Sequence, residues 1–249
     1  MGWFDRFTRG KRDGQADAAA GTAADGRGLD PNAQPDGFRL PAALGLDPQV
    51  EEALRGEAWR FVVRGDADAD AFAECQEDEA EAWGIGEDTV RAAFSAVVAA
   101  RRAQQAAWPA LPKTALTRAF EALAARGIVA RENFSCCGTC ASGEIFDERD
   151  DSRTWRGYVY YHQQDTEGLL DDRSTYIGYG AFLDAWTTEA EWTALPDAER
   201  ERQYGRIVTA LMREEVIPVL EAHGATVTWD GSLGTRIRLD GVDFFVPLA

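Results

Sequence analysis

Apolar residues recur with helical spacing through the first half of the chain and with a mixture of helical and strand spacing through the second. Asp47-Pro48 is a helix start, an acceptor side chain at the N-cap followed by proline at the first helical position. Val50, Leu54, Trp59, Phe61 and Val62 supply the apolar groups of that helix. A second helix is predicted over about Ala69 to Trp83, acidic on its outer face, with Gly84 and Gly86 ending it. A third starts at Asp88-Thr89 and carries Val90, Phe94, Val97 and Val98 on one face, and Pro109 and Pro112 close the helical region.

From Lys113 the pattern changes. Leu116, Ala119, Phe120, Leu123 and Ala124 follow the spacing of an amphipathic helix, with Gly127 as its stop. Ile128 and Val129 begin a strand. Tyr158 to His162 and Thr175 to Tyr179 are rich in β-formers. A long helix is predicted over about Asp197 to His223, buried through Tyr204, Ile207, Val208, Leu211 and Met212. Pro218 should kink it by clashing with the carbonyl of Glu214. Ala225, Val227 and Trp229, then Ile237 and Leu239 after the Gly231–Gly234 turn, alternate with polar residues as a hairpin with one buried face. The fold class is therefore α+β: a helical N-terminal part, then a mostly antiparallel sheet with helices packed on one face. Three regions are expected: a flexible tail and linker over 1–36, a helical region over 37–110, and an α+β domain over 111–249.

The tail carries Trp3, Phe4 and Phe7 beside Arg6, Arg9, Lys11 and Arg12, a frayed terminus or a short docking segment. Residues 13–36 hold almost no large apolar group to offset the entropy of ordering. Over all 249 residues, 43 acidic against 26 basic side chains give a net charge of −17. That balance argues against nucleic-acid binding, because phosphate affinity comes from Lys and Arg. No run approaches the roughly 20 apolar residues of a membrane-spanning helix, and nothing after Met1 resembles an export leader. The expected setting is cytoplasmic, and the Arg-, Ala- and Asp-rich usage looks bacterial. An unknown protein partner is compatible with all of this; the oligomeric state is not set by it.

The chain has 4 cysteines, and three fall at Cys136, Cys137 and Cys140. In a reducing compartment such a group suits a metal or thiol chemistry better than a permanent disulfide. Cys137-x-x-Cys140 has the spacing that turns two thiolates onto one centre, and Gly138 permits the turn. His162 can complete a Cys3His zinc site with Cys136, Cys137 and Cys140 if the strand leading into the cluster pairs with the strand ending at His162. One obstacle is stereochemical: neighbours in an extended chain point opposite ways, so Cys136 and Cys137 reach one metal only on an unusual backbone. The same residues also read as a redox dithiol, although Gly138, Ser142 and Gly143 disfavour a long helix there and the flanks show no βαβ pattern. They read, too, as a nucleophile, Cys137 or Cys136, with His162 as base and Asp165 or Gln163 orienting the ring. The plainest alternative is three small thiols packed beside a turn. Two function classes thus stand side by side, a non-catalytic binding domain with a structural or zinc-stabilised cluster and a thiol-dependent enzyme or redox protein.

The segments Gly127 to Cys140, containing Asn133-Phe134-Ser135-Cys136-Cys137-Gly138-Thr139-Cys140, and Gly157 to Glu167, containing Tyr161-His162-Gln163-Gln164-Asp165-Thr166-Glu167, resemble a bacterial family of unknown function whose members carry N-F-[ST]-C-C-x-x-C. The resemblance covers most of residues 100–245. It implies that the cysteine and His162 segments travel together, and it supplies no activity or cofactor.

Other motifs are weaker. Asp66, Asp68, Asp70 and Glu77 have the spacing of a calcium loop, but Ala71 stands where its glycine belongs. Cys75 reads as a core thiol and His223 as a helix C-cap. The chain has no phosphate-binding glycine loop, nucleophile elbow or His-Glu-x-x-His.

Overall fold

The structure, a computed structural model, describes residues 30–248; the aromatic-basic segment from Trp3 to Arg12 and the start of the expected linker lie outside them. Helix α1 (Pro48–Val63) begins as expected, with the Asp47 side chain accepting from the Gln49 amide. The single helix expected to Trp83 is divided at Gln76 into α2 (Ala69–Cys75) and α3 (Glu77–Trp83). Helix α4 (Glu87–Ala106) then packs Val90, Phe94, Val97 and Val98 against α1 and α2. Phe72 stacks on Phe94 with centroids 4.5 Å apart, and Phe61 meets both rings edge-on. Within this apolar cluster Arg101 is fully buried, its guanidinium 5.7, 5.4 and 5.3 Å from the rings of Trp59, Trp108 and Phe245.

The second half is a five-stranded sheet in the order β1-β2-β3-β5-β4. Its strands are β1 (Ile128–Arg131), β2 (Gly157–Tyr160), β3 (Ser174–Ala181), β4 (Thr226–Thr228) and β5 (Ile237–Asp240). All pairings are antiparallel except β1 with β2. Helices α6 (Gly138–Glu144), α7 (Thr166–Asp172) and α8 (Glu189–Ala194) are short, and on one face of the sheet Ile128, Val159, Ile177, Ile237 and Leu239 pack against α5 (Ala115–Ala125), α9 (Asp197–Leu211) and α10 (Ile217–Ala222). The α+β class and the larger helical layer therefore stand as expected. The opposite face is covered too: Val129, Tyr160 and Phe182 pack with Ala141 and Ile145 of a short helical segment.

Pro218 is absorbed more gently than a sharp kink requires. Between α9 and α10 the chain makes a π-helical turn over Met212–Val216, which widens the helix ahead of the proline. Arg156, just before β2, grips Glu215 in that turn with two bonds of 2.5 Å.

Candidate metal and thiol centre

The cluster sits where the parallel pair runs out. Strand pairing ends at Arg131 opposite Tyr160, but the two chains stay side by side: the Phe134 amide donates to the Tyr161 carbonyl at 2.8 Å, and the Gln163 amide to the Ser135 carbonyl at 3.1 Å. That continued ladder carries the cysteine turn and His162 to the same end of the sheet. The pairing between the strand before the cysteines and the strand before His162 is thus present.

The stereochemical obstacle is met by the backbone. Asn133 and Ser135 adopt left-handed conformations, with φ of 49° and 61°. Such conformations cost non-glycine residues of the order of 1 kcal/mol or more and gather at functional sites. They bend the chain between β1 and the cysteines, and the sulfurs of Cys136, Cys137 and Cys140 lie within 4.8 Å of one another. Among the described residues this is the one group of three or more metal-binding side chains at such distances.

Helix α6 (Gly138–Glu144) starts directly after Cys137, where glycine content argued only against a long helix; seven residues suffice to close two turns. With β1 and β2 parallel on either side, a β-α-β arrangement is present that the flanking sequence did not reveal. The turn is clamped to the sheet through Tyr160, whose hydroxyl lies 2.9 Å from Ser142 Oγ, while Ser142 Oγ donates to the Gly138 carbonyl at 2.6 Å. The Tyr160 ring in turn lies over Gly178 of β3, where a Cβ would fall 2.6 Å from Cζ.

Cys136 and Cys140 are exposed and Cys137 is half-buried; no disulfide joins them. The Cys137 thiol is held below its ordinary pKa by the backbone amide of Cys140, then by the Cys140 thiol and the Thr139 amide. Cys140 is pushed up to about 11 by its sulfur neighbours Cys136 and Cys137. Cys137 thus gives up its proton more readily than Cys140.

His162 is buried, with its ring against Gly138: a Cβ there would lie 3.4 Å from Nε2. Nε2 is 3.2 Å from Asp165 Oδ2 and 3.4 Å from Arg236 Nη1, while Nδ1 is buried with no hydrogen-bond partner. Asp165 accepts from Arg236 at 2.9 and 2.6 Å and from the His162 amide at 3.1 Å. Burial lowers the His162 pKa despite the Asp165 carboxylate, and Arg236 lowers it further, so the ring is held neutral. A neutral imidazole is the form that binds a metal or accepts a proton. His162 is not one of the three mutually close ligands, yet it shares a cleft of about 540 Å³ with Cys137, Ser142, Tyr160 and Arg236. Cys136 faces a separate cleft of about 410 Å³ with Arg64, Asn133, Gln163 and Glu167.

Arg236 is the member that sequence reasoning missed as a site residue; it arrives from the position just before β5, 71 positions from Asp165, and only its place in the alternation leading into that strand hinted at it. The carboxylates of the calcium spacing have local partners: Asp66 accepts from the Asp68 amide, Asp68 caps α2, and Asp70 pairs with Arg91 at 2.7 Å. Cys75 is exposed, not a core thiol, because α2 turns Phe72 and Ala73 inward. His223 closes its helix as expected, Nδ1 lying 2.8 Å from the Val219 carbonyl.

A tight group of three soft sulfur donors with a carboxylate-backed imidazole beside it defines a thiol-rich, metal-competent site on an α+β fold. The chain belongs to the family described as Domain of unknown function (DUF6891), whose model matches residues 47–244 and so includes every residue of this site. No curated protein and no solved structure matches it. No helix among the described residues is long and apolar enough to cross a membrane.

Proposed function

We propose that the chain is a non-catalytic binding domain of the cytosol whose cysteine turn holds a zinc ion, with Cys136, Cys137 and Cys140 as thiolate ligands and His162 as the fourth. The observation that carries this reading is the mutual approach of three sulfurs on a backbone bent to bring them together. Three thiolates with an imidazole form a recurring tetrahedral zinc set, and no hard oxygen donor belongs to the group. The Asp165 carboxylate and Arg236 hold the His162 ring at the edge of the turn, in the manner of second-layer partners that orient metal-binding histidines. Zinc supplies charge neutralisation for three thiolates that could not otherwise all ionise at such close range. Metal analysis of the purified chain should return about one zinc per chain, lost in Cys140→Ser and weakened in His162→Ala. A metal-free chain of undiminished stability ends the reading.

One observation favours a second reading, a thiol-dependent enzyme or redox protein using Cys137 and Cys140 with His162. Cys137 has the easier ionisation of the pair and opens into the same cleft as His162. Alkylation rates followed against pH should then show a thiol ionising well below the ordinary value near 8.5 in metal-free protein, and unreactive thiols dismiss it.

A further inference from the structure

We propose that the cysteine turn is an oxidation site for hydroperoxides, at which Cys137 and Cys140 form a reversible disulfide and the bound ion is released. The disulfide stands on the thiol geometry alone; the release of an ion rests on the zinc reading above.

Cys136 and Cys140 are exposed, and Cys137 is half-buried on the wall of an open cleft. A small peroxide reaches them without unfolding. The three sulfurs lie within 4.8 Å of one another, so side-chain rotation brings a pair to bonding distance.

Which pair bonds follows from the backbone. Cys137 and Cys140 span the first turn of α6, closed by the Ala141 amide donating to the Cys137 carbonyl at 2.9 Å. Residues three apart in a helical turn have Cβ atoms about 5–6 Å apart, near the roughly 3.5–4.5 Å of a disulfide. Cys136 and Cys137 are neighbours in sequence, and their disulfide would strain a small ring through the peptide bond between them. Cys136 also faces the other cleft, with Asn133 and Gln163. The Tyr160–Ser142–Gly138 clamp holds the turn on the sheet during the change.

The chemistry balances in two steps. The Cys137 thiolate attacks the terminal peroxide oxygen; an S–O bond forms, the O–O bond breaks, and the departing alkoxide or hydroxide takes a proton. The Cys140 thiolate then attacks the Cys137 sulfur; the S–S bond forms, the S–O bond breaks, and hydroxide leaves as water. Two thiols are oxidised by two electrons, and one hydroperoxide is reduced to an alcohol, or to water, plus one water. The ion loses two of its three thiolates, and Cys136 with His162 is too small a set to keep it. A dithiol reductant reverses the change.

The test uses the full chain loaded with zinc and treated with hydrogen peroxide, reading zinc with a chromogenic chelator and the protein by intact mass. Expected are the loss of two hydrogens per chain, about one equivalent of zinc released for each disulfide, and recovery of both with dithiothreitol. Cys136→Ser should still lose two hydrogens, and Cys140→Ser should not. Addition of oxygen without loss of hydrogen, or a disulfide that forms in Cys140→Ser and fails in Cys136→Ser, overturns the proposal. A chain that carries zinc and keeps it under peroxide sinks this proposal while the zinc reading survives. A chain that never carries zinc but forms the disulfide sinks the zinc reading and sustains the oxidation site.

Discussion

Replacing Glu132 by glutamine should make the protein more stable at neutral pH, and by an amount that depends on pH in a defined way. Glu132 follows β1 directly, beside Thr117 and the hydroxyl of the fully buried Tyr161, which donates to Oε1 at 3.5 Å. Burial raises its pKa from 4.5 to about 7, with the nearby Glu121 charge adding to the effect and the two hydroxyls opposing it. The folded chain therefore holds a proton at Glu132 between about 4.5 and about 7, where the unfolded chain has lost it. Stability from this group is complete below 4.5, falls as pH rises, and is gone above 7. Each pH step of one across that window costs about 1.4 kcal/mol, roughly 3 kcal/mol in all. Glutamine keeps an acceptor for Tyr161 and carries no charge at any pH. Urea unfolding of both chains from pH 4.5 to 8 isolates the effect, because every other titrating group cancels in the difference. The Glu132→Gln chain should gain roughly 3 kcal/mol relative to the parent across the window, with the gain flat above pH 7.5. A difference independent of pH would refute the argument, since the cost would then lie in packing, not in ionisation.

Three further outcomes are expected. Arg236→Ala should leave the fold intact yet weaken zinc retention about 10- to 100-fold in chelator competition, because Asp165 and His162 lose the guanidinium that orients them. Gly178→Ala should cost about 1–3 kcal/mol in thermal unfolding, since the new methyl group meets the Tyr160 ring at 2.6 Å. Arg101→Ala should cost about 3 kcal/mol or more, read by urea unfolding, because three aromatic rings lose the guanidinium they enclose and the Gln104 side chain and Pro31 carbonyl lose a donor.

Much of the fold was legible wherever the controlling forces are local. Asp47-Pro48 caps α1, Gly127 ends α5, and the alternation in 225–239 forms the β4–β5 hairpin, with Val227 opposite Leu239. The division of the acidic helix at Gln76 and the π-helical turn before Pro218 escaped because each is a small local departure that packing selects. Helix α6 escaped for a related reason: its glycine and serine content is poor, and the Tyr160 clamp compensates.

The candidate site divides in the same way. The sequence by itself placed three thiols within five positions, and it singled out His162 and Asp165 as their candidate companions. Only the tertiary structure decided that β1 and β2 run parallel and side by side, that Asn133 and Ser135 take left-handed backbones, and that Arg236 reaches across from the start of β5 to Asp165. Short-range features are written in neighbouring residues. The meeting of side chains 71 positions apart depends on which strands pair and which faces the hydrophobic core claims, and that is a property of the whole folded chain.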